Sequence, residues 1–500
     1  MILPPANNGR ETEAAATRDG ADVTHSPIVR ENWCIGCGVC AGVCPAAALN
    51  MEVQGDQYRP VLRAGCTGCG LCMDVCPFGE SEGDETTLAE ELYADCPGRD
   101  ALLGRFIHTE VGAVKDAGSR LASASGGAAS LVLTSLLASG SVDAVVAPLP
   151  TREGFPWHEY RIVTEPEQVA ASKGSVYHPV HLADVLREML ARPQRRYAVI
   201  TVPCYAKALR KAARRIPALR RSLAFILGLT CGGGPTFAFA LAQAMLAGVS
   251  DPAAVRHHCK MRAASAKRYG CGACDGQGRW RYVGSEGIGN FMWANRVFRK
   301  ACFACDDVFA ELADGTFMDA WLPEFQSDLR GHSLLILRRP ELAELLERRR
   351  GEGQWEGRAI EPARVVESQE RLCRHKRMLL APRLEALRLR NRWAPPKRMA
   401  LLAGADKQAS PDAAEQSARR MLACDELAPL LGEWFAHHRG QALPPWSARL
   451  AGWRLCRRIA AQLRRSGVKP APRRRALYWR GLTNLLQARA ARPLENGDAT

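Results

Sequence analysis

Two runs of cysteine at matching steps constrain this chain more than anything else in it. Cys34-Ile35-Gly36-Cys37-Gly38-Val39-Cys40-Ala41-Gly42-Val43-Cys44-Pro45 returns thirty-two residues later as Cys66-Thr67-Gly68-Cys69-Gly70-Leu71-Cys72-Met73-Asp74-Val75-Cys76-Pro77. The step C-x2-C-x2-C-x3-C-P ligates [4Fe–4S] cubanes, and in paired runs the fourth cysteine of each serves the other cube. The expected ligand sets are therefore Cys34, Cys37, Cys40 and Cys76 for one cluster, and Cys66, Cys69, Cys72 and Cys44 for the other. Thiolates this close can wrap one corner of a cube only if the backbone between them turns tightly, which Gly36, Gly38, Gly68 and Gly70 permit. The competing readings are paired zinc ribbons and a disulfide framework, but zinc sites seldom use four cysteines at this step.

Five hundred residues, 47% of them hydrophobic, suggest about three domains with ample core. Nineteen cysteines grouped at ligand spacings point to metal and a reducing cytoplasm rather than to disulfides. Residues 1–27 read as a disordered, polar leader without a basic-then-apolar signal pattern. No apolar run has the length of a bilayer span; Thr236–Val249 comes nearest. The formal charge of +16 (Lys+Arg 68, Asp+Glu 52) is concentrated in the last hundred residues, whereas residues 80–95 are acidic. No groove-reading motif accompanies the basic stretch, so no specific nucleic acid is expected.

Residues 28–80 form the two-cluster module, with Val53 and Tyr58–Leu62 as hairpin strands between the repeats. Residues 81–103 read as an acidic linker in which Cys96 is a structural or unpaired thiol. From residue 104 to 395 strands and helices alternate. Strands are expected at Ile107–Val114, Val142–Ala147, Tyr197–Val202, Leu223–Leu229 and Ser333–Leu337, and helices at Ala128–Leu137, Tyr205–Ala213 and Pro235–Ala247. That order argues for an α/β domain with a mixed or parallel sheet. Residues 396–500 read as a basic helical extension.

Ligands of parallel sheets gather beyond the carboxyl ends of the strands. Cys204 and Cys231 fall at two such ends, in Thr201-Val202-Pro203-Cys204 and Gly228-Leu229-Thr230-Cys231. With Cys302 and Cys305 they supply four thiolates, enough for a third cubane. Cys271 and Cys274 form a competing pair, and a zinc held by the two C-x-x-C pairs stands beside both. Ser123-Ala124-Ser125-Gly126-Gly127 and Gly232-Gly233-Gly234-Pro235-Thr236 each open a helix and turn free backbone N–H groups towards an anion. Pro235 suits the first helical position. Gly-rich helix starts also serve plain tight packing, and neither segment matches a dinucleotide fingerprint or a P-loop.

In this order the segments resemble the coenzyme F420 hydrogenase/dehydrogenase beta-subunit family, over roughly residues 28–390. Ser123–Gly127 with Val142-Asp143 is similar to its Gly-Gly helix start and Ile/Val-Asp strand. Gly174-Ser175-Val176-Tyr177 resembles its Gly-Ser-Lys-Tyr segment, with Val176 where lysine is usual. Thr201–Cys204 and Gly228–Cys231 resemble its Gly-Thr-Pro-Cys and Gly-Leu-Phe-Cys turns. Cys302–Asp307, Ala313-Asp314, Asp319-Ala320-Trp321 and Gly331-His332-Ser333 leading into Arg338 are similar to its closing series. The resemblance implies a flavin-binding α/β domain carrying FAD and its own cluster, joined to an α+β ferredoxin-like module. It implies Cys204, Cys231, Cys302 and Cys305 as the third cluster's ligands. Ser125, Gly126, Gly127, Ser175, Tyr177 and Asp319 become the implied FAD contacts.

The expected activity is that of an iron–sulfur flavoprotein oxidoreductase, moving electrons between ferredoxin or a similar redox partner and a small-molecule substrate. His178, His257 and His258 are polar candidates near that site, each also readable as an ordinary packed or surface histidine. Two other readings compete: a non-catalytic electron relay within a larger complex, and an adaptor for nucleic acid or a membrane surface built on the basic tail. In the tail, Leu450, Trp453, Cys456, Ile459 and Leu463 recur at helical steps, and Trp446, Tyr478 and Trp479 interleave with arginine as far as Arg492. A solvated or partner-packed helical extension is the plainer reading of the same residues.

Overall fold

The computed structural model describes residues 22–63, 65–79, 83–151, 154–255, 257–262, 269–274, 277–284, 290–398 and 410–469. The chain folds earlier than its polar start suggests. The Asp22 side chain accepts from Thr24 N at 2.7 Å and caps a turn at Val23–His25, and a short helix, Pro27–Arg30, follows. Val23 and Ile28 are buried, so residues 22–27 belong to the cysteine module rather than to a leader; residues 1–21 lie outside the described residues. Between the two cysteine runs, strands β1 (Leu49–Gln54) and β2 (Gln57–Leu62) pair antiparallel, Leu49 opposite Leu62.

The stretch expected as a linker is structured. Asp84 caps a helix, Glu85–Tyr93, by accepting from Thr87 N at 2.9 Å, and Glu85 is buried 3.2 Å from Lys207 Nζ. Strands β3 (Gly98–Asp100) and β4 (Gly104–Phe106) form a small ladder, and the buried Cys96 thiol donates to Arg338 O at 3.3 Å.

A mixed eight-stranded sheet carries the centre of the molecule. Its elements are, in chain order, β5 (His108–Val114), α1 (Ala128–Ala138), β6 (Ala144–Pro150), β7 (His158–Val163), α2 (Ala183–Ala191), β8 (Tyr197–Thr201), α3 (Pro203–Arg215), β9 (Leu223–Leu229) and α4 (Phe237–Ala247). Strands β10 (His257–Arg262), β11 (Tyr269–Cys274) and β12 (Trp280–Gly284) make a separate antiparallel sheet, after which β13 (Gly315–Asp319), β14 (Ser333–Leu337), α5 (Pro340–Gly351) and β15 (Trp355–Ala359) complete the large one. The spatial order is β15-β5-β14-β13-β9-β8-β6-β7. Strands β6, β8, β9 and β13 run parallel, and β5 shares their direction because β14 lies antiparallel to both β13 and β5. One edge therefore collects the carboxyl ends of β5, β13, β9, β8 and β6. Helices α1 and α5 pack on one face, while α2, α3 and the cysteine module pack on the other.

Thr236, not Gly234 or Pro235, caps α4, accepting from Phe239 N at 3.3 Å, so the proline precedes the helix instead of opening it. Every residue of α4 is buried. The helical C-terminus explains how: α6 (Pro411–His438) and α7 (Pro445–Arg465) cover it. A Cβ on Gly452 would meet Leu246 Cγ at 3.0 Å, and Phe435 stacks on Phe237 at 5.5 Å. The stripe Trp453, Cys456, Ile459 and Leu463, with partly buried Leu450, thus faces protein, not lipid, and Trp446 is exposed. Tyr478, Trp479 and Arg492 lie outside the described residues. Among those described, no helix is long and apolar enough to cross a membrane.

Candidate metal centres and the edge of the sheet

The two cysteine runs fold into loops whose fourth members cross over. Cys34, Cys37, Cys40 and Cys76 line one cavity of about 390 Å³, closed by Ile28, Val39 and Phe78. Cys44, Cys66, Cys69 and Cys72 line another of about 350 Å³, beside Asp22 and Leu49. Gly38 shows why the loop needs glycine: its φ is +75°, and a Cβ would lie 3.1 Å from Ala183 N. The same loop is fastened to the large domain through Leu182 N, which donates to Cys37 O at 2.8 Å. Around the second cavity, Thr67, Gly68 and Cys69 are exposed. Burial pushes the thiols up, Cys76 to about 11 and Cys40 further, because a thiolate there loses water and faces other sulfurs. A cationic centre among them would reverse that balance, as metal coordination requires the thiolate form.

A third group assembles at the sheet's edge. Cys204 follows β8 in the first turn of α3, and Cys231 follows β9, its N–H donating to Val308 O at 3.1 Å. Cys302 lies within the tight turn Lys300–Phe303 and Cys305 two residues beyond it, and Cys302 Sγ accepts from Gly234 N at 3.1 Å. Loss of water, and after it the sulfurs of Cys305, Cys231 and Cys302, hold the thiol of half-buried Cys204 well above the ordinary range. Cys271 and Cys274 sit on β11; three apart on a strand, they point to opposite faces and do not form a knuckle.

Buried and half-buried cations surround this group, and no spacing pattern signals them. Lys376 Nζ donates to Cys305 Sγ at 3.1 Å. Arg299 donates to Ile35 O in the first cysteine loop and to the Tyr205 hydroxyl, and lies within electrostatic reach of Cys302 and Cys204. Lys397 and Arg398 meet Asp306, at 3.3 and 3.0 Å, and hold its carboxyl far below the usual range. These side chains come from charge-rich stretches that read as solvated faces; Asp306-Asp307 beside Cys305 was the one available clue.

Further along the edge, the Ser125 hydroxyl donates to His332 O at 2.5 Å. Gly126 is wedged so closely that a Cβ would meet Ser333 N at 2.5 Å and Gly112 O at 2.6 Å. Gly127, at φ +87°, begins α1 and offers no capping side chain, so the first-turn N–H donors and the positive end of the helix face the edge. Asp319 ends β13, and its carbonyl accepts from Ser368 Oγ at 3.2 Å and Gln369 Nε2 at 3.0 Å. Ser125, Gly126, Gly127 and Asp319 thus share the β5–β14–β13 end. Ser175 and Tyr177 belong to the segment before α2, on the β8 side, where the Tyr177 ring meets Trp293 edge-on at 4.7 Å. The sequence reading missed Arg120, which donates from Nε to Gly331 O at 2.9 Å and from Nη2 to Asp328 at 2.9 Å at the same rim. His178 is buried in an aromatic group with Phe155, Trp157 and Phe237; the side chains of His257 and His258 lie outside the description.

Fold and thiol arrangement together define an iron–sulfur redox subunit. Residues 27–81 match the 4Fe-4S dicluster domain, residues 110–187 the N-terminal part of the coenzyme F420 hydrogenase/dehydrogenase beta subunit, and residues 194–363 its C terminus. The chain belongs to the coenzyme F420 hydrogenase/dehydrogenase beta-subunit family, whose members are subunits of oxidoreductase complexes. Among solved structures, a chain from the xenon-derivatised F420-reducing [NiFe] hydrogenase complex of Methanosarcina barkeri aligns over 60% of this chain and 99% of its own, with 15% identity and a TM-score of 0.47. A search of curated proteins gives no match.

Proposed function

We propose that this chain is an iron–sulfur flavoprotein oxidoreductase that moves electrons between a ferredoxin-type one-electron carrier and a two-electron organic substrate. Cys34, Cys37, Cys40 and Cys76 hold one [4Fe–4S] cluster, Cys44, Cys66, Cys69 and Cys72 a second, and Cys204, Cys231, Cys302 and Cys305 a third. FAD rests on the start of α1, with Ser125, Gly126, Gly127, Ser175, Tyr177 and Asp319 as its contacts. When bound, the clusters supply single electrons and the flavin couples them to two-electron chemistry.

The observation that carries this reading is a line of sulfurs from surface to sheet edge, bridged once by Tyr205 and Arg299. Exposed Cys69 and buried Cys72 share a cavity, and Cys72 lies within electrostatic reach of Cys40. Cys37 is in turn within reach of Tyr205 and Arg299, and both of these face Cys204. Tyr205 keeps its place by donating to Val180 O at 2.7 Å. Arg299 threads between the two loops, and the Gly234 backbone passes so close that a Cβ there would strike its guanidinium. The N–H donors of α1 stand ready for a pyrophosphate at the same edge. A reducing compartment, the cytoplasm, suits so many free thiols.

The test is anaerobic analysis of iron, sulfide and flavin in the purified chain. About twelve Fe, from three cubanes of four, and one FAD are expected. About eight Fe without flavin would leave the dicluster module as the sole cofactor-bearing part and defeat the flavoprotein reading. Reduction of an organic acceptor without a partner chain separates an enzyme from a relay subunit.

A further inference from the structure

The part of the chain beyond the family match sends a charge into the third thiol group. The match ends at residue 363, and Lys376 follows it in a single turn of π-helix, Arg374–Met378. Such turns are rare and concentrate at functional sites. The lysine is 1% exposed. Its Nζ donates to Cys305 Sγ at 3.1 Å and to Asp307 O at 2.6 Å, and its field reaches Cys231 and Cys302 as well.

A buried ammonium is tolerated where a fixed negative partner answers it. Two nearby carboxylates are already engaged: Asp306 by Lys397 and Arg398, and Glu311 by Arg377 at 2.5 Å and Arg398 at 2.8 Å. The Asp307 carboxyl also lies in the field of Lys376, but the side-chain atom that the ammonium contacts directly is Cys305 Sγ, at 3.1 Å. Arg299 also abuts this group, but it touches the first cysteine loop too and so acts on both. Lys376 acts on the third alone.

Resting on the three-cluster reading above, we propose that Lys376 sets the reduction potential of the centre held by Cys204, Cys231, Cys302 and Cys305, making it the electron sink of the chain. The step is a one-electron reduction: the neighbouring centre is oxidised by one electron, this one gains it, no bond breaks, and Lys376 keeps its proton. Reduction adds a negative charge next to a fixed cation in a poorly screened interior, so the reduced form gains most.

The test is an EPR-monitored potentiometric titration of the full chain, prepared anaerobically, with iron counted in each sample. Lys376→Met should keep about twelve Fe and move one midpoint at least 59 mV more negative, a tenfold loss in that one-electron equilibrium. The other two midpoints should stay in place. Lys376→Gln, which keeps an N–H donor without the charge, should move the same midpoint in the same direction, and Lys376→Arg should restore it. Retained iron with three unmoved midpoints overturns the proposal, as does a common drift of all three. If Met and Gln both lose four irons, retention by Arg supports the charge requirement and loss from all three variants overturns it. About eight Fe in the wild-type chain would instead defeat the three-cluster reading itself.

Discussion

At Asp56 a carboxyl group has been carried into the seam between the cysteine module and the large domain. It sits in the β1–β2 turn; its carbonyl accepts from Phe237 N at 2.8 Å, and its side chain takes a hydrogen bond from Thr236, the cap of α4. Loss of water outweighs Thr236, Arg59 and Arg299 and pushes the carboxyl up to about 6. A carboxyl raised on folding binds more protons in the native state than in the unfolded one, so stability falls as pH rises from about 4 to 6 and stays lower above that. Asp56→Asn should therefore stabilise the chain near neutrality, and its advantage should be larger at pH 7.5 than at pH 5 by about 1 kcal/mol. Denaturant midpoints of the two proteins at both pH values check this; a difference independent of pH would show that the carboxyl does not titrate in this range. Legibility at this scale was uneven for a physical reason. A cluster-ligand thiol announces itself by short spacing along one loop. Lys376 reaches Cys305 from 71 residues away, and a lone cation in an arginine-rich stretch looks like a solvated one.

Among the elements, the continuous apolar runs were readable and the half-exposed ones were not. β9 and β14 occupy the expected residues, and β5, β6, β8, α1 and α4 differ from expectation by a few positions at their ends. β7 and β15 went unread because they are the two edges of the sheet, carrying Glu159 and Arg161, or Glu356 and Arg358, where an internal strand would carry apolar side chains. β13 was missed since only Phe317 and Met318 of its five residues are apolar, too short a run to mark a strand. In α7 the periodicity was correct, but the surface it faces was invisible, since a stripe made for protein and one made for lipid share the same step. The structure fixes the partner as α4, which gives the stripe a measurable energy. Ile459, fully buried against that helix, should cost about 2–5 kcal/mol when changed to alanine. Trp446→Ala, at a residue 66% exposed on the same helix, should stay within about 0.5 kcal/mol. Denaturant unfolding of both variants decides between a packed cover and a free adaptor; equal effects would return the stripe to solvent or lipid.

Across the whole molecule, exposure singles out one of the three sets of sulfurs, and that difference has a chemical consequence. The second cysteine run meets solvent through Thr67, Gly68 and Cys69, while Pro45, Ala46 and Ala47 beside it are exposed and uncharged, a surface on which a redox partner can approach without displacing charge. The first set, roofed by Ile28 and Phe78 and pinned by Leu182, and the third, beside Phe298 and Lys376, each hold one buried and three partly buried cysteines and none that is exposed. Thiolate reactivity and metal loss both follow access. A mild chelator added anaerobically should therefore remove about four of twelve irons in a first phase, leaving the spectra of the other two centres unchanged. Brief alkylation at that point, followed by peptide mapping, should label Cys69 and Cys66 ahead of Cys37, Cys204 and Cys302, because only the former lie on an open loop. Early labelling of Cys204 or Cys302 would mean that the third set opens to solvent on its own, and the inward order of electron transfer would have to be redrawn from the sheet edge outward.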